Sequence, residues 1–283
     1  PSKGLSSIYG VMPLSTTQDV AGPLARTTED LAILLDVVSG FDSRDPATAL
    51  MQDQPAPEFQ AGLTSVSLQG LRLGRLDSYL ERADGRIRAG IESALGWFES
   101  QGAELVTVDV PNLAELVAAS GVIGHEFRAD LDRYLVQFSN SDPGSLESIV
   151  GMGLYHEAVS GPLQRSQQSV ANPEAYQAAL AAREDLRAAL EQVLAEHDLD
   201  ALVYPPIAEL PVRIGDSQPG NNCSLSANSG LPAIAIPLGF TDAGLPLAME
   251  LLGGLLDDVR LLSIAHAWEQ GNTPRRPPTS AGW

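Results

Sequence analysis

The 283-residue sequence predicts an α/β fold, and three observations support that prediction. Between residues 71 and 110 a short apolar run, a helical pattern and a second apolar run follow one another, the order of a βαβ unit with parallel strands. Residues 112–200 then read as mostly helical. The last third holds three short runs nearly continuous in apolar residues, as in strands covered on both faces, and closes on a further helix.

The first 26 residues are rich in Gly, Ser, Thr and Pro and predict a loop or short strand. Thr27 then offers an N-cap with Asp30 three residues on, and Leu31, Leu34, Leu35 and Val38 recur at helical spacing until Gly40 supplies a stop. Residues 41–70 are punctuated by Pro46, Pro55, Pro57, Gly62 and Gly70, which predicts an extended surface connection without regular structure. The βαβ unit comprises a strand over 71–76, a helix over 84–100 and a strand over 103–110. Pro143 and Pro173 break the helical middle. Its longest helix spans 173–197, where Tyr176, Leu180, Leu186, Leu190 and Leu194 form the apolar stripe of an amphipathic packing helix. Strands over 201–204, 233–238 and 247–252 and a helix over 257–270 complete the pattern. The tail 272–283 has three prolines, two arginines and little apolar content, and predicts a loose extension.

Thirty-six acidic residues against seventeen basic ones give a net charge of −19, which disfavours nucleic acid and anionic membranes as partners. No run of 18 apolar residues and no signal-peptide pattern is present, so neither a membrane span nor a compartment is indicated. A lone cysteine, Cys223, excludes an internal disulfide and reads most simply as a small buried hydrophobe. The four histidines, His125, His156, His197 and His266, lack the spacing of a zinc site, and no cofactor is implied. His125-Glu126 and His156-Glu157 open like a zinc-protease helix, but Ala129 and Ser160 stand where the second histidine belongs. The G-x-S-x-G pentapeptide is absent. Gly151-Met152-Gly153 lacks the third glycine of a dinucleotide turn, and there is no phosphate-binding P-loop.

One motif is specific. Tyr9-Gly-Val-Met-Pro13, the Ser/Thr-rich stretch to Gln18, then Asp19-Val-Ala-Gly22-Pro23-Leu-Ala-Arg26-Thr27 fill every fixed position of a pattern found just after the catalytic serine of amidase-signature enzymes. The segment Gly40-Phe-Asp-Ser-Arg-Asp45-Pro46 also resembles that family. So do Asp200-Ala-Leu-Val-Tyr-Pro205, Asn222-Cys-Ser-Leu-Ser-Ala-Asn-Ser-Gly230-Leu-Pro232, Pro237-Leu-Gly239-Phe240 and Gly244-Leu-Pro246, near the end of the chain. The resemblance implies a three-layer α/β/α fold with a mixed central sheet, residues 1–271 forming the C-terminal portion of one domain whose N-terminal part is missing from the chain.

It also implies amide hydrolysis by a serine that attacks the carbonyl, with a second, cis-configured serine relaying protons to a lysine. Those three residues lie upstream of the matched segment, so no catalytic residue is assigned here. Lys3, Ser6 and Ser7 sit on one short segment and cannot converge as nucleophile, relay and base. The expected substrate contacts are Gln18, whose amide both donates and accepts, and Asn222 and Cys223 beside the substrate channel, with backbone capping competing for Asn222. Asp19 and Arg26 are expected to pair and clamp the loop against the active-site floor. Thr16-Thr17-Gln18-Asp19 resembles the branch acting on small amides and peptide C-terminal amides, more than the amidotransferase subunit that supplies ammonia for a charged tRNA. A noncatalytic α/β binding module is the reading from another class. The implied partner is a small-molecule or peptide amide, and a homodimer stays open.

Overall fold

The computed structural model describes residues 1–139 and 142–276. Its helices are α1 (Thr28–Val38), α2 (Phe59–Gly62), α3 (Asp77–Leu80), α4 (Gly85–Ser100), α5 (Leu113–Ala119), α6 (Ile123–Phe138), α7 (Leu146–Met152), α8 (Ser160–Gln168), α9 (Pro173–Glu196), α10 (Ser224–Ser229) and α11 (Asp258–Asn272). Its strands are β1 (Arg72–Leu76), β2 (Glu104–Val108), β3 (Ala201–Tyr204), β4 (Ala233–Phe240) and β5 (Pro246–Leu252). They form one mixed sheet in the order β2-β1-β3-β5-β4. β1 pairs parallel with β2 and β3, whereas β5 runs antiparallel to both β3 and β4.

Alternation along the central strands divides the core in two, because successive side chains leave opposite faces. On one face Leu73, Ala201, Val203, Met249 and Leu251 pack against Ile91, Leu95 and Phe98 of α4 and Leu261, Ile264 and Trp268 of α11. On the other, Leu76, Leu202, Tyr204 and Leu252 meet Leu186, Leu190 and Leu194 of α9. That is the expected three-layer α/β/α arrangement. Gly74 belongs to the same packing: a Cβ there would come within 2.6 Å of Leu199 and 2.9 Å of Leu202.

Helix α1 starts as its sequence predicts, with the Thr27 side chain accepting from the Asp30 N–H. A third cluster, of Leu5, Ala32, Leu35, Met51, Phe59 and Leu262, ties it to α2 and α11. The stretch 41–70 corrects the expectation of a purely extended connection. Asp45 caps a 3₁₀ turn over Pro46–Met51, and the Asp36 carboxylate accepts the Phe59 and Gln60 N–H groups at the start of α2. Prolines at element starts fit where no intrahelical N–H is needed, so punctuation here marks short helices. β4 departs from expectation too. It is an edge strand whose residues are mostly half-exposed, since a partner covers it on one side only.

Large apolar side chains stay exposed in the N-terminal segment and on α1, among them Met12 at 63%, Leu24 at 97% and Val37 at 78%. The helix at the end of the domain reaches Asn272, at the position where a loose tail was expected to begin. Of that tail, residues 277–283 lie outside the described residues.

Candidate functional site

Residues 15–19 make one tight turn. The Gln18 and Asp19 N–H groups both donate to the Ser15 carbonyl, and Asp19 Oδ2 accepts the Leu14 and Ser15 N–H groups at 2.7 and 3.0 Å. Lys3 closes the other end, its Nζ donating to the carbonyls of Thr16 at 2.8 Å and Asp19 at 2.7 Å. The Lys3 N–H in turn donates to Gly230 O, which joins this segment to the end of α10. Burial lowers the Lys3 ammonium pKa, opposed by the nearby Asp45 and Asp19 carboxylates.

Helix α6 presents two carboxylates, four residues apart and so on one face, to the same turn. Glu126 accepts the Ser15 hydroxyl at 2.5 Å, the Thr17 hydroxyl at 2.5 Å, the Thr17 N–H at 3.1 Å and the Tyr176 hydroxyl at 2.5 Å. Asp130 accepts the Thr16 N–H at 2.7 Å and pairs with Arg133. Burial pushes the Glu126 carboxyl up, but the hydrogen bonds from Ser15, Thr17 and Tyr176 outweigh it and hold the group below the usual glutamate range.

Gln18 extends from this turn towards α9 and α10. Arg183 of α9, a buried side chain, directs Nη1 at Gln18 Oε1 over 3.5 Å and Nη2 at the Ala227 carbonyl over 3.1 Å. Among the described residues no carboxylate forms an ion pair with this guanidinium, whose pKa burial lowers. The other two expected substrate contacts sit at the opposite end of α10. Asn222 Nδ2 donates to Pro205 O at 2.8 Å, its backbone N–H donates to Pro206 O, and Cys223 caps the helix.

Two expectations need correction. Asp19 and Arg26 do not pair: the Asp19 carboxylate is taken up by backbone N–H groups, and Arg26 is exposed on the loop leading into α1. Cys223 is exposed, at the N-cap position just before α10 and without a side-chain capping bond. The sequence reading also missed Glu126, Asp130, Tyr176 and Arg183. A pair of acidic residues at i and i+4 on α6 was available as a signal, but a buried acidic face and a solvated one look alike in sequence. Tyr176, expected in the apolar stripe of α9, packs its ring beside His125 while its hydroxyl reaches Glu126.

As chemistry, the arrangement offers hydrogen-bond donors and acceptors held in place by their neighbours. Its one lysine donates to backbone carbonyls, and the Ser2, Ser6, Ser7 and Ser15 hydroxyls donate to Asp258, Ala21 O, Asp42 and Glu126. None of these hydroxyls is bonded to the lysine, so no serine-lysine relay is built from them. No group of His, Cys, Asp and Glu among the described residues could hold a metal ion. No helix among them is long and apolar enough to cross a membrane.

The model of the family described as Amidase matches residues 1–262. The A-type subunit of the glutamyl-tRNA(Gln) amidotransferase of Halorhodospira halophila is 32% identical over 293 residues, covering 95% of this chain and 58% of the relative. The peptide amidase from Stenotrophomonas maltophilia superposes with a TM-score of 0.83 at 32% identity, covering 98% of this chain and 58% of the other. An amidase family protein from Bacillus anthracis gives 0.81 at 26% identity, covering 99% of this chain and 54% of the other. The chain thus spans a little over half the length of these relatives, and it belongs to the amidase family.

Proposed function

We propose that this member of the amidase family supplies the scaffold and one wall of the pocket of an amide hydrolase. The reaction converts a carboxamide to a carboxylate, with release of ammonia or an amine through an acyl-serine intermediate. The serine nucleophile, relay serine and lysine are provided by a segment outside these 283 residues. One observation favours the reading above others: the Asp19 turn holds Gln18 at a junction of three elements, with Arg183 drawing its Oε1 inward. Its Nε2 is left to donate to a substrate carbonyl. Asn222 and Cys223 flank the far side of α10 and complete the proposed wall, and Asp19 acts as the loop clamp.

Small or peptide C-terminal carboxamides are the favoured substrates. Peptide amidase superposes on this chain at a TM-score of 0.83 with 32% identity, and Thr16-Thr17-Gln18-Asp19 resembles the branch acting on such amides. The second reading, an amidotransferase A-type subunit working with partner chains, draws on the 32% identity to the Halorhodospira protein. The two separate in one assay, in which this chain is joined to an upstream segment bearing the serine-serine-lysine residues and offered peptide amides or glutamine. Turnover of peptide amides supports the first reading; turnover of glutamine alone sinks it. Binding of both without turnover would mark a noncatalytic module. The 283 residues by themselves are expected to be inactive, and hydrolysis that survives removal of contaminating enzyme would contradict this. They are also expected to self-associate through the exposed Met12, Leu24 and Val37 side chains, so a monomer that melts sharply counts against the proposal.

A further inference from the structure

Glu126 takes no part in the reading above, yet it is among the most heavily bonded side chains in the molecule. It is only 7% exposed, and its two oxygens receive the Ser15 and Thr17 hydroxyls, the Thr17 N–H and the Tyr176 hydroxyl. A carboxylate buried without a direct cationic partner survives only if hydrogen-bond donors replace its water. Here the donors come from two separate elements: the turn that ends in Gln18, and helix α9. Tyr176 and Arg183 are seven residues apart on α9, two turns along one face. Glu126 therefore grips the turn immediately before Gln18, and it grips α9 two turns before the guanidinium that meets Gln18 Oε1. Glu126 is the side chain that ties the turn directly to α9, beside a longer route from Lys3 through α10 to Arg183 Nη2.

We propose that Glu126 is the positioning residue of the Gln18 site, fixing which end of the Gln18 amide faces the pocket. The proposal rests on the reading of Gln18 as a substrate contact. With Arg183 held in place, the oxygen of the amide stays turned towards it and the Nε2 hydrogens point away, which selects for an acceptor such as a substrate carbonyl. Without Glu126 the direct tie between the turn and α9 is lost, and the loosened amide can present either end. Asp130 supports the same turn through the Thr16 N–H and, among the described residues, makes no hydrogen bond to α9.

The test compares Glu126→Ala and Glu126→Gln with the parent chain by residue-level hydrogen exchange and by the side-chain amide signals of Gln18 in nitrogen-resolved NMR. Glu126→Ala should speed exchange at Thr17, Gln18 and Asp19 on the order of ten-fold or more, leave the amides of β1 and β3 unchanged, and move the Gln18 signals to those of a free amide. Glu126→Gln keeps one acceptor oxygen for Ser15 and Thr17 and should recover most of both readouts. Gln18 signals in Glu126→Ala that match the parent would overturn the proposal. Should that variant not fold, Thr17→Val removes one of the four bonds, and unshifted Gln18 signals in it would overturn the proposal equally. A separate titration with an N-acetylated peptide amide tests Gln18 itself. If the parent's Gln18 signals ignore the ligand while Glu126→Ala still loosens the turn, the substrate reading fails and the positioning role stands.

Discussion

Glu126 and Glu250 are both more than nine-tenths buried, but their carboxyl groups are shifted in opposite directions. Glu126 stands between α6, α9 and the 15–19 turn and collects three hydroxyls and a backbone N–H, so the charged form is favoured despite burial. Glu250 lies in the sheet on β5, directly opposite Tyr204 of β3, and its carboxyl receives one hydrogen bond among the described residues, from the Tyr204 hydroxyl at 2.5 Å. Burial wins there: it pushes the Glu250 carboxyl up, and burial followed by the neighbouring Glu250 pushes the Tyr204 phenol well above its ordinary value. The number of donors aimed at each group sets the direction of its shift, and those donors come from loops and helices in one case and from a neighbouring strand in the other.

The largest test of this contrast removes the aromatic half of the sheet pair. Tyr204 is fully buried and packs edge-on to Tyr79 at 5.9 Å, so Tyr204→Ala should cost about 3–5 kcal/mol in denaturant unfolding. A smaller loss would mean that the sheet core closes over the gap. Next in size is Glu126→Ala, which leaves the Thr17 N–H and three hydroxyls to find new partners. We expect a cost of about 1–3 kcal/mol, concentrated in the 15–19 turn when opening is followed by hydrogen exchange.

The two carboxylates should also give stability profiles of opposite slope. Glu126, ordinarily titrating at 4.5 and lowered in the fold, contributes stability that is present above that value and fades as pH falls through its folded pKa. Glu250, raised in the fold from the same 4.5, contributes stability that is present below that value and fades as pH rises through its folded pKa. Unfolding curves of Glu126→Gln and Glu250→Gln against pH, each subtracted from the parent, should slope in opposite senses; parallel curves would break the comparison. The smallest effect concerns the unformed clamp. Arg26→Ala should change stability by no more than about 0.5 kcal/mol. Asp19→Ala, which frees the Leu14 and Ser15 N–H groups, should cost measurably more. Equal effects would mean that Arg26 has a partner in solution.

What could be read from the sequence follows the same divide. β1, β3 and β5, and the long helix α9, announce themselves through apolar runs and spacing, because burying them against one another is a property of local pattern. The Thr27 cap is likewise local. Ser15 and Glu126, by contrast, are 111 residues apart, and no periodicity encodes a hydroxyl meeting a carboxylate across that distance. The same holds for Arg183. Its neighbour on α9, Arg187, pairs with Glu184 three residues away, a contact that local spacing does suggest, while Arg183 is buried against groups far off in the chain. Residues 41–70 misled for another reason. Proline and glycine mark the ends of short helices as readily as they mark their absence, and Phe59 at the start of α2 was the apolar anchor that could have told the two apart.

Lys3 is the only lysine side chain in the chain, and its ammonium spans the turn that carries Gln18, bonded to the Thr16 and Asp19 carbonyls. Within these 283 residues, lysine-directed chemistry therefore has a single side chain to reach. Acylation of Lys3 would remove the charge and leave Nζ a single N–H for two carbonyls. A fluorophore coupled there would act as a gauge on the turn itself, and protection of Lys3 from acylation by an added carboxamide would report occupancy of the proposed Gln18 site without any need for turnover.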